Sequence, residues 1–160
     1  MTVPRAALVL ALALAAGSAA AAEGCQPDQV ALRGPAGQAR FRVELAATEH
    51  DRERGLMDRR AMAADAGMLF VYDRPVHARF WMKDTLIPLD MIFLDPAGRV
   101  LRVAADARPM DETIIDGGPG VQFVLEINGG LAARLGIAPG SQMQSPALDQ
   151  GRALWPCTAP

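Results

Sequence analysis

Residues 67–94 read GMLFVYDRPVHARFWMKDTLIPLDMIFL, and their pattern decides the fold. Met68, Phe70 and Tyr72 alternate with Leu69 and Val71, and both sets are apolar. Such a strand is covered on both faces. Asp73-Arg74-Pro75 reads as a turn. Residues 77–83 read as a strand pairing back, with Phe80 and Met82 on one face and Trp81 and Lys83 on the other. Residues 84–89, with Pro88 inside them, make a short crossing. Asp90 then opens a third strand, residues 91–94, again apolar on both faces.

Upstream, residues 28–33 and 38–46 form a hairpin around the turn Gly34-Pro35-Ala36-Gly37. In its second arm Phe41, Val43 and Leu45 alternate with Arg40, Arg42 and Glu44, the period of a half-buried strand. Residues 48–57 change character. Thr48 and Asp51 resemble a capping box, Glu49, Asp51 and Glu53 load the first turns with negative charge, and Gly55 suits a helix stop. A short polar helix is expected there, with His50 facing water, followed by a loop over 58–66.

Downstream, Asp95-Pro96-Ala97-Gly98 has the residue preferences of a type I turn and returns residues 99–104 as a strand. Residues 105–120, rich in Asp, Pro and Gly, form the longest irregular stretch and so a candidate functional loop. Residues 122–127 are a strand, and Asn128 is placed to cap a second short helix over 129–135. Residues 141–144 make a last strand. Many short strands, Gly/Pro turns and two minor helices predict one mainly β domain, an antiparallel sandwich or barrel. An open α+β sheet is the alternative.

The two ends suggest a compartment. Arg5, the unbroken apolar run of residues 6–16 and Ala20-Ala21-Ala22 have the form of a signal peptide over 1–22. The run is too short to span a bilayer as a helix. The domain is then 23–160. The chain has a net charge of −2, and losing Arg5 makes it more acidic. A nucleic-acid binder depends on clustered Lys and Arg, and no such block is present. Cys25 and Cys157 are the two cysteines, and in an oxidising compartment they are expected to pair. Ala22-Glu23-Gly24-Cys25 is a poor lipoprotein pattern, and lipidation of Cys25 would leave Cys157 alone.

Catalytic signals are sparse. No Gly-x-Ser-x-Gly is present, and only His50 and His77 are available as bases for a Ser or Cys nucleophile. No tight His/Cys/Asp/Glu cluster suggests zinc, and no cofactor is assigned. Asp106, Asp111, Glu112 and Asp116 form a solvated acidic stretch rather than a calcium loop. Met57, Met62, Met68, Met82, Met91, Met110 and Met143 raise copper binding as a minor reading, but their dispersal favours core packing. The remaining candidates are Trp81, Lys83, Asp84, Thr85, Asp90 and Glu126. The short crossing can bring Asp90 back to Lys83 and Asp84 at one rim, and Glu126 can join them. A lysine among carboxylates beside Trp81 suits either acid–base chemistry or a polar ligand site with an aromatic wall. A purely structural network is the competing reading.

Several motifs together resemble a known family. Glu53-Arg54-Gly55-Leu56-Met57, Gly67-Met68-Leu69-Phe70, Phe80-Trp81-Met82-Lys83-Asp84-Thr85, Ile87-Pro88-Leu89-Asp90 and Glu126-Ile127-Asn128-Gly129-Gly130 look, in that order, like family 192 of the domains of unknown function. The resemblance spans about 30–144. It implies a mainly β, jelly-roll-like domain and a small prokaryotic protein, often exported, but no reaction or cofactor. After Trp-Met-Lys/Arg the family usually has Asn, whereas this chain has Asp84. An amide donates and accepts, while an ionised carboxylate only accepts. A donor role there is therefore put in doubt, and a role in a turn is not.

The expectation is thus a periplasmic or secreted monomer, a non-enzymatic module binding a small ligand or an envelope protein. An envelope-acting hydrolase or transferase with a Lys/Asp/Glu site is the alternative.

Overall fold

Strand β3, Ala66–Phe80, is the longest element of the sheet. It appears in a computed structural model that describes residues 25–157; the signal peptide expected over 1–22 lies outside them. β3 runs straight through Asp73-Arg74-Pro75, where a turn is expected from the sequence. The two halves do not pair with each other. Both pair with β6, Ile115–Asn128, and the register shifts between Val71 and Val76. Proline has no N–H to give a ladder, so it is accommodated where the pairing is interrupted. Two strands together absorb both ends of the expected 105–120 loop. β5, Val100–Ala107, takes its beginning and β6 its end, with Phe80 opposite Ile115.

The other strands are β1 (Gln29–Gly34), β2 (Gly37–Ala46), β4 (Leu89–Leu94) and β7 (Gln142–Gln144). All seven form one sheet in the order β5-β4-β6-β3-β2-β1-β7. β2 and β3 are parallel and the other neighbours antiparallel. The sheet curls into a half-barrel. Its two edges touch at a bridge between Arg99 and Gln142, where the Val100 N–H donates to Ser141 O at 2.8 Å and the Met143 N–H to Gly98 O at 2.7 Å. The expected mainly β single domain with two short helices is therefore present.

The sheet has a hydrophobic cluster on each face. One holds Val30, Phe41, Leu69, Ile92, Val100, Leu125 and Met143, drawn from every strand. The other holds Met68, Phe70, Leu89, Met91, Phe93 and Val124 of the adjacent strands β4, β6 and β3, covered by Leu56, Met82 and Ile87. Covering both faces explains why β3 and β4 are apolar at successive positions. Phe93 lies so close to Gly117 that a Cβ there would stand 2.3 Å from its ring.

Helix α1, Glu49–Arg54, is capped as its sequence requires. Thr48 Oγ1 accepts from the Asp51 N–H at 3.1 Å, and Gly55 ends the helix at φ 47°. Helix α2, Leu131–Arg134, is not capped by Asn128. That side chain donates instead to the carbonyls of Met62 and Ala63, at 3.2 and 2.9 Å. Cys25 and Cys157 are bonded, tying the two ends of the described chain across a separation of 132 residues.

Candidate functional site

Glu126 sits in β6 between Leu125 and Ile127, which face the first cluster. Alternation sends its side chain to the second face. Its register partners there are Met68 on β3 and Met91 on β4, both buried. Only 4% of Glu126 is exposed, and burial pushes its carboxyl up to about 8, with no ion pair or hydrogen bond offsetting it. Such an acid is mostly protonated at neutral pH, and so both donates and accepts.

The carboxyl faces a cavity of about 700 Å³ between α1 and the second face of the sheet. Phe70 and Tyr72, on the same face of β3, form one wall, and Phe80 and Trp81 another. Phe70 and Phe80 meet edge to face at 5.1 Å, and Phe80 meets Phe93 likewise at 5.8 Å. The α1 side supplies Arg52. Its guanidinium stacks over the Tyr72 ring at 5.0 Å and donates to Ala47 O and, at 2.9 Å, to Val71 O. Burial raises the Tyr72 phenol; Arg52 opposes that shift and the nearby Glu126 carboxyl adds to it.

The rim is a tight turn. The Thr85 N–H donates to Met82 O at 3.2 Å, and the Thr85 hydroxyl to Lys83 O at 3.1 Å. Met82 N–H donates to Asp111 O, Met110 N–H to Thr85 O and Asp58 N–H to Asp84 O, so two neighbouring loops brace it. Trp81 is 43% exposed, with the Lys83 ammonium 5.3 Å from its ring centroid. Asp84 has φ 52°, a left-handed conformation that Asn and Asp both tolerate. The turn therefore takes an acid at this position as readily as an amide.

Five of the six residues singled out from sequence line this cavity: Trp81, Lys83, Asp84, Thr85 and Glu126. Asp90 does not. It is fully buried, and its carboxylate accepts from the N–H groups of Asp106 at 2.7 Å, Gly130 at 2.9 Å and Ala132 at 2.7 Å. It pins the start of α2 and the end of β5, which is why Asn128 is free to hold the 62–63 loop. Sequence reasoning missed Arg52, Tyr72, Phe70 and Phe80. Glu49, Arg52 and Glu53 share one helical face by spacing, and all three line the cavity, so that signal was present. Of the seven methionines raised for copper, Met143 lies in the first cluster and Met68, Met82 and Met91 in the second, whereas Met110 is 55% exposed.

The family model for DUF192, described as an uncharacterized ACR, matches residues 31–145, more than half of the chain. The protein belongs to the DUF192 family. A protein of unknown function from Novosphingobium aromaticivorans DSM 12444 is 47% identical, with a TM-score of 0.69 over 72% of this chain and 82% of its own. A protein from Sinorhizobium meliloti 1021, provisionally described as a transcription regulator, is 39% identical, with a TM-score of 0.73 over 78% of this chain and 98% of its own. No functionally curated protein matches. In this DUF192 chain the motif glycines have structural duties. A Cβ at Gly55 would meet the Phe70 ring at 3.2 Å, and one at Gly67 would stand 2.5 Å from Glu126 O. Four of the five family motifs thus surround the cavity: two set its walls, one its rim and one its buried acid, while the fifth, Ile87-Pro88-Leu89-Asp90, lies outside it.

Proposed function

We propose that this protein is a periplasmic or secreted binding module that takes a small ligand into the cavity beneath α1. The observation that carries this reading is the Glu126 carboxyl. It is buried against the cavity with no protein group hydrogen-bonded to it. Among the described residues no side-chain oxygen is both sealed from solvent and unpartnered, so this carboxyl opens onto the cavity, where a ligand can supply the hydrogen bond that the protein does not. The surrounding aromatic walls with a few convergent polar groups have the composition of a small-molecule site. Reaction chemistry is less well supported. Thr85, the one hydroxyl of an aliphatic side chain in the lining, is committed to Lys83 O, and Asp90 is committed to three backbone groups.

The location rests on the Arg5 and residue 6–16 pattern and on the disulfide, which persists in oxidising compartments. Among the described residues no helix is long and apolar enough to cross a membrane. Native mass spectrometry of protein isolated from the periplasm, without denaturation, tests the reading. A bound small molecule is expected in the wild type, and it should be lost in a folded Trp81→Ala/Lys83→Ala variant. Bare protein in both preparations would count against it.

A further inference from the structure

Two half-buried cations and one buried acid define the electrostatics of the cavity. On α1 the charged lining groups are Glu49, Arg52, Glu53 and Arg54. β3 adds Arg79 and the Tyr72 phenol, and the rim adds Lys83 and Asp84. Opposite Glu126 on β4 stands Met91, which carries no charge. His50, on α1, is exposed and does not line the cavity. Glu49, Glu53, Arg54, Arg79 and Asp84 are exposed, so water and salt screen them. Arg52 and Lys83 are only part-exposed and are screened less. Each already lies over an aromatic ring, Arg52 over Tyr72 and Lys83 over Trp81.

We infer that the ligand is an organic monoanion, a small carboxylate with an aromatic or branched apolar body, whose carboxylate accepts from the Glu126 acid and whose charge is offset by Arg52 and Lys83. This rests on the cavity being a ligand site at all. A cationic ligand would meet two half-buried positive charges and find the two ring faces beside them already covered. A carboxylate meets the opposite field. A neutral Glu126 offers it an O–H donor, and O–H···O⁻ bonds are among the stronger hydrogen bonds. The apolar body finds Phe70, Phe80 and Trp81. Binding in this form moves no net proton, because Glu126 enters and remains as the acid. Ionising Glu126 would set two negative groups against each other and expel the ligand.

NMR-detected titration of the full exported protein with three probes that share a phenyl ring and differ in the charge of the head group tests this: benzoate, benzyl alcohol and benzyltrimethylammonium. At pH 6, benzoate is expected to bind at least tenfold tighter than the other two. Its affinity should fall roughly tenfold by pH 9, as Glu126 titrates near 8. Glu126→Gln, which keeps a donor but cannot ionise, should bind benzoate with no fall over that range. Lys83→Met should weaken benzoate at both pH values and leave benzyl alcohol unchanged. Tightest binding of benzyltrimethylammonium, strengthening as pH rises, would overturn the monoanion while leaving the cavity as a binding site. Benzoate binding with the same pH response in Glu126→Gln would overturn the role of Glu126. Should no probe bind while native mass spectrometry still finds a resident molecule, the ligand class fails alone. Should neither be seen, both readings fail.

Discussion

Replacing Glu126 by Gln should make the protein more stable at alkaline pH and leave it nearly unchanged in acid. The folded carboxyl titrates at about 8, against 4.5 for an exposed glutamate. Below 4.5 the group is protonated whether the chain is folded or not, so it carries no penalty. Between 4.5 and 8 the unfolded chain gives up its proton while the folded chain keeps it, and stability falls as pH rises. Above 8 the folded state must hold a buried charge, and the loss levels off. At about 1.4 kcal/mol per pH unit, the gap between the two values corresponds to about 5 kcal/mol, comparable to the whole stability of a small domain. Urea unfolding of both proteins at intervals from pH 4 to pH 9 measures it. The difference between them cancels the other titrating groups, which the substitution leaves in place. The two should match near pH 4, and the variant should be more stable by several kcal/mol at pH 9. A difference that stays within about 1 kcal/mol over the whole range would refute the claim that Glu126 is desolvated and unpaired.

Three further substitutions or treatments test the frame around the cavity. Asp90→Ala strips three backbone N–H groups of a charged acceptor and should cost at least about 3 kcal/mol by urea unfolding, whereas Asp90→Asn, which still accepts, should cost less. Reducing the Cys25–Cys157 bond frees a loop spanning 132 residues and should lower stability by up to about 5 kcal/mol, read as a shift in urea midpoint with dithiothreitol. The denatured, unreduced protein should titrate with no free thiol. Gly67→Ala drives a Cβ to within 2.5 Å of Glu126 O and should cost about 2 kcal/mol or more. The same substitution should disturb the Glu126 amide resonance before distant ones.

Period and turn chemistry carried much of the fold. The alternation of Phe41 and Val43, the Thr48 cap, the Gly55 stop and the Asp95–Gly98 turn all act over a few residues, and the structure follows them. The Asp73-Arg74-Pro75 segment marks where such reasoning stops. Asp and Pro signal a turn because they solve a local problem: Pro supplies no donor, and short polar side chains accept irregular backbone. A bulge in a long strand poses the same local problem. Only the partner β6, some forty residues further on, distinguishes the two by pairing with both halves. The Asp90 carboxylate makes the same point. Its position at a strand start resembled a rim residue, but its partners Gly130 and Ala132 are forty residues away, and no cap rule for α2 reaches that far.

Glu126 was visible as a polar residue breaking an apolar strand, and its meaning depended on what covers that face. On an open face it would be an ordinary solvated glutamate. Here Met68 and Met91 flank it in register and α1 roofs the space above, so the same residue becomes a protonated acid at the base of a cavity. The motif Phe80–Thr85 changes in the opposite sense. Its charged residues suggested chemistry, yet Asp84 supplies a left-handed turn and Thr85 a brace, leaving Trp81 and Lys83 as the side chains that the turn presents to the cavity. The order of the family motifs along the chain then has a physical reason. Gly55 lets the end of α1 sit close to β3 and Gly67 lets β3 sit close to β6; a bulkier residue would press on Phe70 at the first and on the strand that carries Glu126 at the second. The glycines, the turn and the acid are parts of one cavity, so substitutions at Gly67 and Lys83 should alter the titration of Glu126 even where they leave the sheet intact.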